Sequence, residues 1–406
     1  MVTIGMIAEF NPFHKGHKYI IDKAKSITNA DNVIVVCSGN YVQRGEPSIY
    51  DKTVRTKAAL ANGVDAIFEL PVYYSTASAE EFARAGVKFL TELGCVDYLC
   101  FGCETEQIKL LPLIANVLEN EPDEYKQYLK SNLSNGDSFP VARSNALKKY
   151  LNETNGISND ETEITIKSPN NILAIEYMKS IKHFDSNLKP LAIKRVGADH
   201  SSLDITSDYV SASAIRNQLN INKDIRSLVP TNAIKFYDET NPLFMSDFDI
   251  LLGEALIKNK GFDEYYGVTK QLANRILNQA KDYTDIEKFI MQIDSRNNTR
   301  TGITRALLHI LLNIKDEDVQ DAIHNNYFTS ARLLGINRGS NLISVINDNS
   351  KILLISKFSK HYESAIDLDK KLLDIQLYAD ELYRLVYMTK YKEIIPNEFE
   401  RQIVVK

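Results

Sequence analysis

The stretch TIGMIAEFNPFHKGHKYIIDKAKSI, residues 3–27, changes its hydrophobic period in the middle. Its first part is an apolar, β-rich run that ends near Phe10, and its last part, from Gly16 onwards, has the spacing of an amphipathic helix. Two histidines, His14 and His17, stand in and just after the turn between the two parts. The stretch therefore predicts a strand, a tight turn and a helix whose N-terminus carries both histidines.

The same alternation of strand and helix recurs along the first two hundred residues. Apolar runs typical of strands are TIGMIAEF (3–10), NVIVVCSG (32–39), AIFELPV (66–72), VDYLCFG (96–102) and PLAIKRV (190–196). Helical patterns are HKYIIDKAKSI (17–27), DKTVRTKAALANG (51–63) and SAEEFARAGVKFLTEL (78–93). Strands that alternate with helices form an α/β fold, with a parallel sheet covered on both faces, and ligands bind such sheets at the carboxyl ends of the strands. The histidine turn lies at the first of these ends.

The rest of the chain has a different pattern. Residues 104–185 are helical and polar and separate the fourth strand from the fifth, so we expect an insertion there. After Pro230 the strand signals nearly vanish, while helical patterns such as GITRALLHILLNI continue. We therefore expect an α/β domain over residues 1–235 and a separate, mostly α-helical domain over residues 236–406.

Composition narrows the class of protein. The 406-residue chain has a net charge of -5, which argues against binding nucleic acid over the whole surface but leaves room for a local basic face. Four cysteines are too few for a disulfide framework, and Cys100 and Cys103 indicate buried thiols because no second pair completes a zinc site. No uncharged apolar run reaches the roughly 18 residues of a membrane span, and the N-terminus does not resemble a signal peptide. We expect a cytoplasmic location and no membrane partner.

The histidine turn has the chemistry of a phosphate site. Backbone N–H groups and the positive end of the helix dipole attract anions at a helix N-terminus, and His14, His17 and Lys18 add N–H donors there. Gly16 leaves the backbone open to phosphates. We interpret the three side chains as the catalytic group that stabilises negative charge during attack at an α-phosphorus. The alternative is that the histidines only cap the helix or lie on its surface.

A second phosphate motif follows the fifth strand. In SASAIR, residues 211–216, the hydroxyls of Ser211 and Ser213 and the guanidinium of Arg216 stand at the start of a short helix. Hydroxyls and a guanidinium at this place are suited to hold the outer phosphates of a triphosphate. The alternative is an ordinary serine N-cap.

Six segments, taken in order, resemble one family. They are GMIAEFNPFHKGH, SGNYVQRGEPSIYDK, FELP, FGCETE, SPNNILAIEY and SASAIR. The histidine and serine motifs resemble the nucleotidyltransferase superfamily with a His-x-Gly-His signature, which is related to the catalytic domain of class I aminoacyl-tRNA synthetases. All six segments together resemble the tRNA(Met) cytidine acetate ligase family over essentially the whole chain. The resemblance implies a Rossmann-like nucleotidyltransferase (HUP-type) parallel-sheet domain that binds ATP, followed by a mostly α-helical domain that binds tRNA.

The resemblance also implies a ligase reaction. Members of this family use ATP to activate acetate as acetyl-adenylate and pass the acetyl group to the exocyclic amine of the wobble cytidine of elongator tRNA(Met). The products are N4-acetylcytidine, AMP and pyrophosphate. Such a reaction needs neutralised phosphate charge rather than a covalent nucleophile of the enzyme. We expect Mg²⁺ to accompany ATP, and no carboxylate cluster in the sequence indicates a metal site in the protein.

The matching motifs carry over the family's nucleotide-binding residues. They imply an ATP loop formed by Ile7, Ala8, Glu9, Phe10, Asn11, Pro12, Phe13, His14, Lys15, Gly16, His17, Lys18, Tyr19 and Ile20. Beyond this loop they imply Gly102, Arg195, and either Asn170 or Asn171, with the choice between the two asparagines open. Ala212 departs from the family pattern, which has Ser or Thr between the two serines of the last motif, so one hydroxyl contact is missing.

Contacts to tRNA are expected elsewhere. SRNNTRTGITR carries Arg296, Arg300 and Arg305, which suit phosphate oxygens. KFSKHY and YMTKYK interleave lysines with aromatic rings that suit unpaired bases, although all three segments are also typical of solvated helix faces. Gln43 and Arg44, in VQRGEP after the second strand, are better candidates for holding acetate or cytidine, with an Arg–Glu loop contact as the alternative.

Two other functions are compatible with the phosphate motifs. An adenylyltransferase acting on a small phosphorylated metabolite would use the same histidine motif, but such an enzyme rarely needs so large a helical region. A non-catalytic RNA-binding protein with a vestigial nucleotide fold is disfavoured because both phosphate motifs are intact.

Overall fold

The computed structural model describes residues 1–105, 108–196, 209–295, 298–339 and 341–406. Within these ranges the chain contains ten strands. They are β1 (Thr3–Ala8), β2 (Asn32–Ser38), β3 (Tyr41–Val42), β4 (Glu46–Pro47), β5 (Ala66–Leu70), β6 (Tyr98–Cys103), β7 (Lys189–Lys194), β8 (Ser330–Ile336), β9 (Leu353–Ile355) and β10 (Val404–Val405).

The same ranges contain nineteen α-helices and three short 3-10 helices. The α-helices are α1 (Lys15–Thr28), α2 (Lys52–Leu60), α3 (Val72–Ser75), α4 (Ala79–Glu92), α5 (Leu110–Asn120), α6 (Asp123–Ser134), α7 (Phe139–Asn155), α8 (Asn159–Lys167), α9 (Pro169–His183), α10 (Ala212–Asn220), α11 (Thr231–Asp238), α12 (Asp249–Lys258), α13 (Lys270–Gln279), α14 (Ile286–Ile293), α15 (Arg300–Leu311), α16 (Asp316–His324), α17 (Leu342–Asn349), α18 (Phe358–Ser364) and α19 (Asp367–Tyr391). The 3-10 helices are Met245–Phe248, Phe262–Glu264 and Ala280–Asp282. None of these described helices combines the length and the apolarity that crossing a bilayer requires.

In the described chain, eight strands form one sheet in the order β10-β8-β5-β2-β1-β6-β7, with β9 beside β8. The five strands β5, β2, β1, β6 and β7 are parallel, and the register places Met6 of β1 opposite Val35 of β2 and Cys100 of β6. These are the five strands that the sequence predicted, so the predicted α/β fold with a parallel sheet is confirmed. β3 and β4 form a separate antiparallel ribbon.

Both faces of the sheet are buried. Along β2, Val33 and Val35 belong to a core formed with α1, α2, α10 and α11, whereas Ile34 and Val36 belong to a second core formed with α4, α5 and α9. A strand inside a parallel sheet has helices on both sides, which is why NVIVVCS is continuously apolar rather than alternating. The two helical layers leave the carboxyl ends of the strands as the place where loops meet.

Helices α5 to α9 connect β6 to β7, in the region 104–185 where we predicted a helical insertion. Its last helix, α9, packs against α4, α5 and β6. A hydrogen bond from the N–H of Glu104 to Oδ1 of Asn171, at 2.8 Å, joins the start of α9 to the residue that follows β6. The insertion therefore brings the SPNN segment to the carboxyl end of the sheet.

The C-terminal region differs from our expectation. Residues 236–406 are mostly helical, as predicted, but they also contain β8, β9 and β10. β8 pairs antiparallel with β5, with Ala66 opposite Ile336, and β10 pairs with β8. The sequence analysis did not identify these three strands, because β9 and β10 have only three and two residues and β8 pairs with a strand far away in the chain. The domain boundary at residue 235 stays a prediction.

Buried charges join distant parts of the chain beside the sheet. The Nζ of Lys52, a residue that is 1% exposed, lies 2.8 Å from Glu69, 2.7 Å from Asp380 and 3.0 Å from Glu398. Two arginines and a further aspartate complete a buried charge cluster, whose members are Asp51, Lys52, Glu69, Arg332, Asp380, Glu398 and Arg401. Carboxylates outnumber cations in this cluster, and burial together with Glu398 raises the pKa of Asp380 to about 7.

We predict that Lys52→Met lowers the free energy of unfolding by about 3–5 kcal/mol, because it leaves buried carboxylates without their shared cation. The measurement is urea unfolding followed by circular dichroism. The matched control is Lys288→Met, which removes an exposed lysine paired with Asp285 at 2.9 Å and should cost less than about 1 kcal/mol. Equal losses in the two variants would contradict a structural role for the cluster.

Candidate active site

A cleft opens at the carboxyl ends of β1 and β6, the edge at which the sequence predicted a ligand site. Its walls come from β1 and the turn after it, β6, the helices α1, α4, α9 and α10, and loop residues. The lining residues are Met6, Ile7, Ala8, Glu9, Phe10, Asn11, His14, His17, Ile20, Gln43, Arg44, Phe82, Cys100, Phe101, Gly102, Asn170, Leu173, Tyr177, Arg195, Ala212 and Arg216. The structure thus brings the histidine turn, the FGCE, SPNN and SASAIR motifs and the residues after β3 to one place.

The two histidines fix each other at the start of α1. His14 is the N-cap residue, and its Nδ1 accepts from the N–H of Gly16 at 3.0 Å. The Nδ1 of His17 accepts from the N–H of His14 at 3.2 Å, and the ring centroids are 3.9 Å apart. A neutral ring whose Nδ1 accepts carries its proton on Nε2, so each ring keeps one N–H donor while it caps the helix. Both rings also line the cleft, so their capping role is compatible with the phosphate interpretation, which stays a prediction.

Gly16 lies directly against the ring of His14. A Cβ at this position would lie 2.9 Å from Cε1 of the His14 ring and 3.0 Å from its Nδ1. Any larger residue would therefore displace the imidazole that caps α1. The glycine therefore leaves room for the His14 ring, and the access of phosphates to the backbone at Gly16 stays a prediction.

Lys18 does not reach the cleft. Its Nζ lies 2.7 Å from Oδ2 of Asp22, and the Lys18 side chain is 41% exposed. Together with Lys15 and Tyr19 it lines a separate surface groove along α1. Of the predicted loop from Ile7 to Ile20, the structure places in the cleft Ile7, Ala8, Glu9, Phe10, Asn11, His14, His17 and Ile20. It places outside the cleft's lining Pro12, Phe13, Lys15, Gly16, Lys18 and Tyr19.

Arg195 stands in the cleft without an ion pair. Among the residues that the structure describes, no partner makes an ion pair or side-chain hydrogen bond with its guanidinium. Burial lowers the pKa of Arg195, and Glu104 opposes that shift only in part. A Cβ at Gly102 would lie 3.1 Å from Cγ of Arg195, so the glycine lets the arginine stem cross the end of β6. This arrangement is suited to an anionic ligand.

Some residues of the SASAIR motif line the cleft, and others stabilise the start of α10. Arg216 lines the cleft and donates from Nη1 to the carbonyl of Asn11 at 2.9 Å and from Nη2 to Oγ of Ser213 at 3.2 Å. Oγ of Ser211 accepts from the N–H of Ala214 at 3.1 Å and so caps α10. The residue of this motif that lines the cleft beside Arg216 is Ala212, at the position where the family pattern has a hydroxyl.

The two asparagines of SPNN have different places. Asn170 lines the cleft, and its Nδ2 donates to Oε1 of Glu104 at 2.5 Å. Asn171 is 1% exposed and accepts from the N–H of Glu104 at 2.8 Å behind the cleft wall. The geometry therefore favours Asn170 as the residue that faces a bound nucleotide, and Asn171 as the residue that holds the loop after β6.

The loop of Gln43 and Arg44 forms part of the rim of the cleft. Both residues line the cleft, and the N–H of Gln43 donates to Oε1 of Glu9 at 2.7 Å. The hydroxyl of Thr304 in α15 donates to the carbonyl of Arg44 at 2.7 Å. Gly45 has a φ of +80°, and a Cβ there would lie 2.4 Å from the backbone N of Arg305. The loop is therefore held between the cleft and the C-terminal region.

Several features of the cleft were not foreseen. Phe82, Phe101 and Tyr177 give it an apolar wall, with the rings of Phe101 and Tyr177 5.6 Å apart between centroids. No sequence motif marks these positions, since they read as ordinary core residues of a strand and two helices. Cys100 also lines the cleft, but burial raises its pKa to about 12 and that of Cys103 to about 11. The prediction of buried thiols is confirmed.

The expected tRNA segments lie away from the cleft's lining. Arg300 pairs with Glu287, and Arg296 lies outside the described residues. The aromatic rings of KFSKHY and YMTKYK are engaged within the protein. Phe358 packs on Tyr362 at 5.7 Å, and the hydroxyl of Tyr391 donates to the carbonyl of Pro242 at 2.5 Å. These rings contribute to packing in the structure described here.

Comparisons with known proteins agree with this geometry. The model of the HIGH Nucleotidyl Transferase family matches residues 1–397. The chain is 36% identical over 419 residues to tRNA(Met) cytidine acetate ligase of Acetivibrio thermocellus, with 100% of both chains covered. It is 38% identical over 405 residues to tRNA(Met) cytidine acetate ligase of Halothermothrix orenii, with 95% of both covered.

The fold is similar to two crystal structures of Thermotoga maritima TmcAL. The structure bound with alpha-thio ATP (Form II) has a TM-score of 0.91 and 28% identity, and the match covers 100% of this chain and 99% of that chain. The apo structure (form I) has a TM-score of 0.92 and 29% identity, with the same coverage. The chain therefore belongs to the HIGH nucleotidyl transferases. Within that class it belongs to the tRNA(Met) cytidine acetate ligase family.

We predict opposite consequences for the two asparagines of SPNN. Asn170→Ala should weaken ATP binding about threefold to tenfold with little change in stability, because one hydrogen bond at the cleft is lost. Asn171→Ala should lower the free energy of unfolding by about 1–3 kcal/mol, because it leaves the N–H of Glu104 without an acceptor. Isothermal titration calorimetry and thermal unfolding separate the two effects. A loss of ATP affinity confined to Asn171→Ala, at unchanged stability, would reverse the assignment.

Proposed function

We propose that the protein forms acetyl-adenylate from acetate and ATP and transfers the acetyl group to the exocyclic amine of the wobble cytidine of elongator tRNA(Met). The products are N4-acetylcytidine, AMP and pyrophosphate. The observation that carries the proposal is the cleft itself. It holds two histidine rings at a helix N-terminus and three arginines, Arg44, Arg195 and Arg216, in a chain similar over its full length to proteins named for this reaction.

In the first step a carboxylate oxygen of acetate attacks the α-phosphorus of ATP, and the bond to the pyrophosphate oxygen breaks. Negative charge grows on the phosphate oxygens, and donors already in place stabilise it without reorganising. His14, His17 and Arg195 supply such donors at the wall of the cleft. The enzyme needs to position the two reactants rather than to attack either of them. The raised pKa of Cys100 agrees with this, because a protonated thiol is a poor nucleophile.

In the second step the amine nitrogen of cytidine attacks the acetyl carbonyl carbon, AMP leaves, and the nitrogen loses a proton. Gln43 and Arg44 lie at the rim of the same cleft, which favours them for holding acetate or the incoming cytidine. We assign residues 1–235 to ATP binding and catalysis and residues 236–406 to tRNA binding. The contact between Thr304 and the carbonyl of Arg44 joins the second region to the rim. The cytoplasm stays our prediction for its location.

We propose that Mg²⁺ binds to the phosphates of ATP rather than to a metal site of the protein. Among the described residues, no group of three or more His, Cys, Asp or Glu side chains lies close enough together to hold a metal ion. Of the described residues that line the cleft, Glu9 alone is a carboxylate. These residues do not make a metal site on their own, so we propose that Mg²⁺ enters the cleft on the phosphates of ATP and derive no step from it.

The test is incubation of the protein with ATP, radiolabelled acetate and bulk tRNA, with label followed into acid-insoluble RNA. We expect label that depends on ATP, and no label when labelled acetyl-CoA replaces acetate and ATP. The matched control omits tRNA. Absence of RNA label, together with pyrophosphate release only when a small phosphorylated acceptor is added, would replace the ligase by an adenylyltransferase that acts on a small metabolite.

We predict that His17→Ala lowers the rate of acetate-dependent ATP–pyrophosphate exchange about 10²- to 10³-fold, because a preorganised donor to the phosphates is lost. Thermal unfolding should show a small loss, since the variant also removes the acceptor of the His14 N–H. Lys23→Ala, an exposed lysine of the same helix outside the cleft, is the control for the charge and the helix. Normal exchange in His17→Ala would remove His17 from the catalytic group.

A further inference from the structure

Three arginines of the described chain have a pKa below the ordinary value of the guanidinium. Burial lowers the pKa of Arg195, of Arg216 and of Arg305. The first two line the ATP cleft, where an anionic ligand meets them. Arg305 does not line this cleft, so it is a partly buried cation that the proposed nucleotide site does not explain.

Arg305 lacks a counter-ion within the described part of the chain. Among the described residues, no carboxylate forms an ion pair with Arg305, and none makes a hydrogen bond with its guanidinium. Arg300, on the same helix, differs on both points, because it pairs with Glu287 and is 55% exposed. A partly buried charge without a partner is costly to the folded protein. A ligand that brings an anion to Arg305 would offset that cost.

Arg305 belongs to α15, which packs against the loop at the rim of the cleft. A Cβ at Gly45 would be 2.4 Å from the backbone N of Arg305, so α15 lies directly against the loop that carries Gln43 and Arg44. The hydroxyl of Thr304 donates to the carbonyl of Arg44 at 2.7 Å. The backbone of Arg305 therefore lies directly behind the rim of the cleft, on the side that the C-terminal region forms.

The surroundings of Arg305 are held in place by a buried histidine. His309, one turn further along α15, is 2% exposed. Its Nδ1 lies 2.7 Å from the carbonyl oxygen of Tyr266, and its Nε2 lies 2.9 Å from Oγ1 of Thr76. Burial lowers the pKa of His309 to about 4, so the ring is neutral near pH 7 and adds no second charge beside Arg305. The backbone that carries Tyr266, a neighbour of Arg305, is thereby fixed.

We propose that Arg305 binds a backbone phosphate of the tRNA next to the cytidine that enters the cleft past Arg44. The proposal rests on the function proposed above and adds a positioning residue to it. A base that enters the cleft keeps its flanking phosphates outside, and Arg305 lies just behind the rim. The planar guanidinium suits phosphate, which it binds through two parallel N–H donors. The phosphates of ATP are assigned to the histidine side of the cleft, so they do not serve Arg305.

The experiment compares Arg305→Gln with Arg226→Gln, which removes an exposed arginine paired with Asp238 at 3.2 Å. Filter binding of tRNA across a salt series measures affinity without requiring catalysis. We expect Arg305→Gln to weaken tRNA binding about tenfold to hundredfold and to reduce the salt slope by about one, while Arg226→Gln changes neither. Acetate-dependent ATP–pyrophosphate exchange without tRNA should stay within about twofold of wild type in both variants.

A second variant separates charge from folding. Arg305→Lys should keep most of the salt slope, because the charge remains, and lose part of the affinity, because a point charge does not bind phosphate through two donors. Unchanged tRNA affinity in Arg305→Gln, or an equal loss in Arg226→Gln, would overturn the proposal. Loss of exchange without tRNA would overturn it as well, by assigning Arg305 to ATP or acetate. If wild type shows no acetate-dependent exchange, the ligase proposal fails, and the tRNA binding series still decides on Arg305.

Discussion

The cleft depends on one buried guanidinium. Arg55, which is 1% exposed, donates to the carbonyl of Glu9 at 2.6 Å, of Ser38 at 3.0 Å and of Tyr50 at 2.9 Å, and also to that of Gly39. These carbonyls lie just after β1, at the last residue of β2 and the residue after it, and in the segment before α2. A buried carbonyl needs a donor, and a single side chain supplies it to all four. The turn before the histidines and the loop after β2 are therefore fixed by the same group.

The cleft combines rigid donors with two arginines, Arg195 and Arg216, that have no ion-pair partner among the described residues. His14 and His17 hold each other through the cap of α1, so their rings keep one orientation before a ligand arrives. Arg195 lies across Gly102, and among the described residues no carboxylate forms an ion pair with it. Groups placed in advance stabilise developing charge without the cost of reorganisation. The same arrangement lowers the stability of the unliganded protein, because buried cations are costly without anions. Binding of nucleotide and folding of the cleft are thus coupled energetically.

The sequence predicted the features that depend on residues close together in the chain. It did not predict which individual side chains face the cleft and which face away from it. Each of the five parallel strands follows from the hydrophobic period of its own segment, and the histidine turn follows from a short motif. Each of these signals can be recognised within a window of about 25 residues. His14, His17 and Ile20 are spaced by three and share one face of α1, whereas Lys18 is rotated by one residue to the neighbouring face, a signal that helical spacing already contained. The adjacent Asn170 and Asn171 could not be told apart, because the packing of α9 decides which one is buried. β8 was missed because its pairing with β5 is set by residues hundreds of positions away.

The buried charge cluster joins residues that are far apart in the sequence. Lys52 and Asp380 are separated by 328 residues, and Lys52 also pairs with Glu398. Closing so long a loop has to precede the stabilisation that the contact brings. During synthesis, Lys52 in α2 and Glu69 in β5 emerge long before Asp380 and Glu398. The two residues therefore lack these partners until the last part of the chain has emerged. The charge cluster beside the sheet therefore forms only when nearly the whole chain is available.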